Sequence, residues 1–146
     1  MPKPSEKSEN TLVIRKVIPA SREEVFAAWT DPESIKDWMC PGEIVRAEAQ
    51  LDVRVGGAFR VLMKGGAQDF DHTGLYQIIE PPSKLAFTWI SAGTNHQSTL
   101  VTVELKAIGD KTEMTFTHSG FPNEEGKNSH NMGWSGSFNK LEKFVS

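Results

Sequence analysis

Polar and apolar positions along this chain follow two periods, and the places where one gives way to the other mark its elements. From Thr11 to Val17 (TLVIRKV) β-branched residues alternate with charged ones, which predicts a first strand that Pro19 ends by removing a ladder donor. Ser21 with Glu24 three positions on makes a capping box, and Val25, Phe26 and Trp29 then share one face of a short amphipathic helix. Asp31-Pro32 restarts the chain with a cap and a first-turn proline, predicting a second short helix over Glu33–Trp38 that presents Ile35 and Trp38; Cys40-Pro41-Gly42 stops it.

From Glu43 to His118 the period is two. Strand-like runs fall at Ile44–Leu51, Ala58–Lys64, Phe70–Ile79, Leu85–Ile90, Thr99–Ala107 and Thr112–His118. The turns between them are Gly56-Gly57, Gly65-Gly66, Pro81-Pro82-Ser83, Ser91–Asn95 and Gly109-Asp110, each supplying a positive or a fixed φ. The spacing becomes helical again over Asn128–Ser146, where His130, Trp134, Phe138, Leu141 and Val145 make one stripe. Gly133 and Gly136 each weaken that helix by about 1 kcal/mol relative to alanine, so tertiary packing must hold it.

This order predicts an α+β domain over residues 11–146, preceded by a disordered tail over residues 1–10. Its fold is a helix-grip: a curved antiparallel seven-stranded sheet around a long C-terminal helix, with two short helices after strand one and an apolar cavity between sheet and helix. Alternation sorts the strand residues by face. Phe59, Val61 and Met63 point inward, as do Leu85, Phe87 and Trp89, then Val101, Val103 and Leu105, then Thr112, Met114, Phe116 and His118. On the long middle strand the inward set is His72, Tyr76 and Ile78. Any one of these reads first as core. Taken together, Trp38, Phe59, Met63, His72, Tyr76, Phe87, Trp89, His118, Trp134 and Phe138 read as a ligand-binding cavity lined by aromatics with a few orienting polar tips.

Composition narrows the partners. The net charge is -3 and the sixteen Lys and Arg residues form no stripe, which argues against nucleic acid. No run approaches the ~20 apolar residues of a membrane span, and MPKPSEKSEN lacks the apolar region of a secretory signal, so the expected location is cytoplasmic. Cys40 is the only cysteine, which suits a reducing compartment and leaves no thiol cluster for zinc.

Catalytic and metal chemistry find little support. His72, His96, His118 and His130 form no metal-binding spacing, so no metal, cofactor or catalytic residue is assigned. His118 or His72 could serve as a general base beside Asp69 or Asp71, but an inward histidine bonded to backbone is the simpler reading; His96 falls in a turn and reads as solvated. Cys40 lacks a neighbouring base to activate it, and Asp52 with Arg54 reads as an ion pair at a hairpin.

Several stretches together resemble a known family: Val25-Phe26-Ala27-Ala28-Trp29-Thr30-Asp31-Pro32-Glu33 with Trp38, Asp52-Val53-Arg54-Val55-Gly56-Gly57-Ala58-Phe59, Leu85-Ala86-Phe87-Thr88-Trp89 after Pro81-Pro82, and His130–Trp134 with Leu141. They resemble the START-like (SRPBCC) superfamily, and within it the proteins related to the C-terminal domain of the activator of heat-shock protein 90 ATPase. The resemblance implies the helix-grip fold and a hydrophobic cavity. Its members include lipid and polyketide binders, cyclases and small-molecule sensors, so it fixes no activity. Three functions are expected in order: a monomeric or weakly dimeric binder of a small hydrophobic ligand of lipid, polyketide or aromatic type; a co-chaperone-like interaction protein of the stress response; and a cyclase- or hydrolase-type enzyme using His118 or His72.

Overall fold

A computed structural model of the chain describes residues 10–40, 44 and 46–146. Most of the expected tail, and the stop at Pro41-Gly42, lie outside the described residues. Seven strands form one antiparallel sheet: β1 (Thr11–Ile18), β2 (Arg46–Leu51), β3 (Ala58–Lys64), β4 (Asp69–Glu80), β5 (Lys84–Trp89), β6 (Thr99–Ile108) and β7 (Lys111–Ser119), in the order β1-β7-β6-β5-β4-β3-β2. β2 to β7 are therefore a meander, and β1 closes it by pairing with the last strand, Leu12 opposite His118 and Ile14 opposite Phe116.

Helices α1 (Arg22–Thr30) and α2 (Pro32–Trp38) lie in the connection between the two edge strands, and the long α3 (Glu124–Val145) packs against β1, α1 and α2. This is the helix-grip arrangement that the two periods predict. The predicted capping box is present: the Ser21 hydroxyl accepts from the Glu24 amide at 3.2 Å while the Ser21 amide donates to the Glu24 carboxylate. Asp31 caps α2 by accepting from the Glu33 amide at 3.1 Å.

Three details depart from the sequence reading. Helix α3 starts four residues before Asn128, because Asn123 accepts from the Gly126 amide at 2.7 Å and Glu124 and Glu125 suit the positive end of the helix. That first turn carries no apolar residue, so the stripe could not reveal it. Second, β4 shifts register between Tyr76 and Ile78, where Gln77 is the extra residue of a bulge. Parity flips there, and Ile79, rather than the expected Ile78, packs on the core. Third, β2 begins at Arg46 rather than Ile44, with Ile44 itself outside any strand.

Turn chemistry behaves as expected at Gly56, whose φ of +84° suits glycine, and beside it Arg54 pairs with Asp52 at 2.8 Å. Inside β4, Gly74 is required by close approach: an added Cβ would fall 1.9 Å from the Thr88 carbonyl oxygen and 2.6 Å from the Phe59 ring.

Candidate functional site

The middle of the grip is filled by aromatic rings. Trp29 meets Trp38 edge-on at 4.7 Å between centroids, and Phe116 lies 4.7 Å from Trp134 and 5.0 Å from Phe138. The Trp38 indole N–H donates to the Ala28 carbonyl at 2.9 Å, fixing that ring in place. What remains is a void of about 10 Å³ bounded by Trp29, Phe59, Val61, Tyr76, Phe87 and Trp89, room for about one water molecule. The broad central cavity expected from the sequence is therefore closed. Trp38, His118 and Phe138, expected to face open space, are sealed, and Phe59, Tyr76 and Phe87 face only the small void.

An open pocket of about 620 Å³ lies farther along, between the β3–β4 hairpin, the segment 91–96 with its 3-10 turn at Ala92–Thr94, and the N-terminal half of α3. Met63, His72, Trp89 and Trp134 of the expected set line it. Trp89 and Trp134 make its floor, with centroids 5.0 Å apart, and the His72 ring lies 4.6 Å from Trp89. Phe70 and Ile44 extend the apolar wall. Gln68, His96, Ser91, Gly93 and the α3 residues Ser129, His130, Gly133 and Ser137 complete it and were not in the sequence-based set. One signal for the α3 residues was in the sequence: Ser129, Gly133 and Ser137 recur every four residues, a strip of small side chains beside the aromatic stripe.

A chain of hydrogen bonds anchors the floor. The Trp134 indole N–H can only donate, and it does so to His118 Nδ1 at 3.1 Å. The His118 proton therefore sits on Nε2, which donates to the Thr99 hydroxyl at 2.7 Å, and that hydroxyl donates to the Trp89 carbonyl at 2.6 Å. Helix α3 is thereby tied through β7 and β6 to β5. Burial, with a smaller contribution from His130, lowers the His118 pKa to about 2, and the ring is fully buried with both nitrogens engaged. It can hold Trp134, but it has no free nitrogen to offer a substrate.

His72 donates from Nδ1 to the Val61 carbonyl at 3.2 Å, and His130 from Nδ1 to the Gly126 carbonyl at 2.8 Å. Burial lowers both pKa values, that of His72 to about 4. At the mouth, Asp71 pairs with Arg60 at 2.9 Å and Asp69 lies 3.6 Å from Lys64. His96 is exposed, in a left-handed backbone conformation with φ of 59°. Among the described residues, no lysine or arginine lines the pocket and no group of His, Cys, Asp and Glu is placed to hold a metal. Cys40 is buried, with its thiol raised in pKa chiefly by that burial and donating to the Lys36 carbonyl at 3.1 Å.

A curved sheet gripping a helix, with a pocket at one end of the grip, defines a START-like helix-grip protein, a fold that commonly binds hydrophobic ligands. Residues 19–146 match the family described as Activator of Hsp90 ATPase homolog 1-like protein, and the chain belongs to it. Solved structures share the architecture. Protein CV1439 from Chromobacterium violaceum is 22% identical with a TM-score of 0.83, over 93% of this chain and 96% of that one. Protein NE0264 from Nitrosomonas europaea is 20% identical with a TM-score of 0.79, over 94% and 95%. CalU16 from Micromonospora echinospora is 27% identical with a TM-score of 0.73, over 93% and 76%. No curated protein matches the sequence. Among the described residues, no helix is long and apolar enough to cross a membrane.

Proposed function

We propose that this protein binds a small, largely apolar ligand in the pocket floored by Trp89 and Trp134. The observation that carries this reading is the pocket itself: about 620 Å³, within the usual range for small-molecule sites, mostly apolar in its walls, with a few polar groups converging on it. Ligand burial against the two indoles and Met63 would supply affinity at about 25 cal/mol per Å² of apolar surface. The single buried cysteine suits a reducing, cytoplasmic setting.

The test is a titration with lipids, flavonoids and aromatic polyketides, followed by NMR of the four indole N–H groups. Binding in the pocket moves the Trp89 and Trp134 signals and leaves Trp38 in place. If no compound moves Trp89 or Trp134, the reading is wrong. A second reading, contact with a chaperone, draws on the family description and on apolar residues exposed near the β3–β4 side, Val55 and Leu75. Association of the purified chain with an Hsp90 chaperone, undiminished when the pocket is filled, would favour that reading.

A further inference from the structure

The polar wall of the pocket has a hydrogen-bonding sense that selects among apolar ligands, an inference that rests on the binding function proposed above. His72 on β4 and His130 on α3 face the same space from opposite sides. Each has its Nδ1 bonded to a backbone carbonyl, Val61 O for His72 and Gly126 O for His130. A carbonyl oxygen accepts and cannot donate, so each Nδ1 must carry the ring proton. Each Nε2 is then a lone pair, and for His72 the Phe70 backbone adds to the Val61 carbonyl in holding the proton on the ring. Burial keeps both rings from taking up a second proton near neutral pH.

Among the described residues, no lysine or arginine on the lining balances these lone pairs. The charged residues on the lining are the carboxylates Asp69 and Asp71, and their partners Lys64 and Arg60 are not on it. Ser91, Ser129, Ser137 and the Gln68 amide can donate or accept, so they do not discriminate. A ligand carboxylate or phosphate entering this space would lose water and face two carboxylates and two imidazole lone pairs with no lysine or arginine on the lining to offset them, whereas a hydroxyl or N–H would find an acceptor waiting. We propose that the pocket selects neutral aromatic ligands carrying hydroxyl or N–H donors, of phenol type, which donate to His72 Nε2 and His130 Nε2, and that it rejects free carboxylates of the same size.

Three probes of one shape separate the possibilities: 2-naphthol, 2-methoxynaphthalene and 2-naphthoate, titrated into the full chain near pH 7.5 by calorimetry and indole NMR. 2-Naphthol is expected to bind roughly three- to tenfold more tightly than the ether, the ratio of one neutral hydrogen bond, with the naphthoate weakest. His72→Phe keeps a ring against Trp89, and His130→Phe changes the opposite wall. In at least one of them the naphthol-to-ether ratio should fall to about one. The ratio is internal to each variant, so a loss of overall stability does not obscure it. Equal binding of ether or naphthoate in the unmodified protein, or an undiminished ratio in both variants, overturns the donor assignment while leaving the pocket as a binding site. Failure of all three probes to bind removes the binding function and this selectivity with it.

Discussion

The two ends of the grip are built from the same sheet and the same helix, yet one is solid and the other open. At the closed end Trp29, Trp38, Phe116 and Phe138 meet ring against ring. At the open end α3 presents Ser129, Gly133 and Ser137 toward Met63, His72 and the 91–96 segment. The contrast shows that a cavity here is made by withholding side-chain volume along one strip of a helix whose adjoining strip is filled by aromatic rings. Trp134 sits on the boundary. It is buried against Phe116 in the core, borders the pocket, and is held in place by the bond to His118.

The sharpest way to break this comparison is to truncate one aromatic residue at each end. Phe116 is fully buried among Trp29, Trp134 and Phe138, and Phe116→Ala should cost about 3–5 kcal/mol in denaturant unfolding. Phe70, on the pocket lip and 42% exposed, should cost under about 1 kcal/mol when changed to alanine. Similar losses at the two sites would mean that the open end is packed as tightly as the closed one.

A smaller effect comes from pH. His118 and His72 both have folded pKa values lowered by burial, to about 2 and about 4, from about 6.5 in the unfolded chain. As pH falls below about 6.5 the unfolded state takes up protons that the folded state refuses, so stability drops by up to about 1.4 kcal/mol per pH unit for each ring. Between pH 7.5 and 5.5 the two together should remove roughly 2.5 kcal/mol. His118→Gln should be less stable at pH 7.5 but lose less than the parent over the same interval. A flat stability profile from pH 7.5 to 5.5 would contradict the sealed, neutral state of His118.

The fold could be read from the sequence because alternation and caps are local signals. Ser21 with Glu24, Asp31-Pro32 and the parity of Phe59, Val61 and Met63 each report on a few neighbouring residues, and the structure repeats them. The bulge at Gln77 was not legible, since nothing in Tyr76-Gln77-Ile78 differs from an unbroken strand. The location of open space was the least legible of all. Whether an inward ring meets another ring or a gap depends on how far α3 is shifted along the sheet, a tertiary quantity that strand parity does not contain. Strand parity therefore placed Phe87 and Trp89 on one face, as the structure does, without showing that Phe87 lies inside the packed region while Trp89 borders the pocket.

The finest probe of the same contrast is one added methyl group at each end. In Gly74→Ala the new Cβ would overlap the Thr88 carbonyl oxygen at 1.9 Å and the Phe59 ring, and neither can retreat without moving the β4–β5 pairing or the core. A loss of about 2–3 kcal/mol is expected. In Gly93→Ala the nearest atom is His130 Cε1 at 2.9 Å, the tip of a half-buried side chain that borders the pocket and can turn into it. A small rotation that keeps the bond from His130 Nδ1 to the Gly126 carbonyl costs little, and the lost backbone freedom of glycine in the unfolded chain offsets it by about 0.4–1 kcal/mol, so the net change should stay within about 1 kcal/mol. The His130 ring signals should nonetheless shift in NMR, because its new position is inside the pocket. Should Gly93→Ala destabilise as much as Gly74→Ala, the 91–96 segment would be clamped as firmly as the sheet, and His130 would have no open space to turn into.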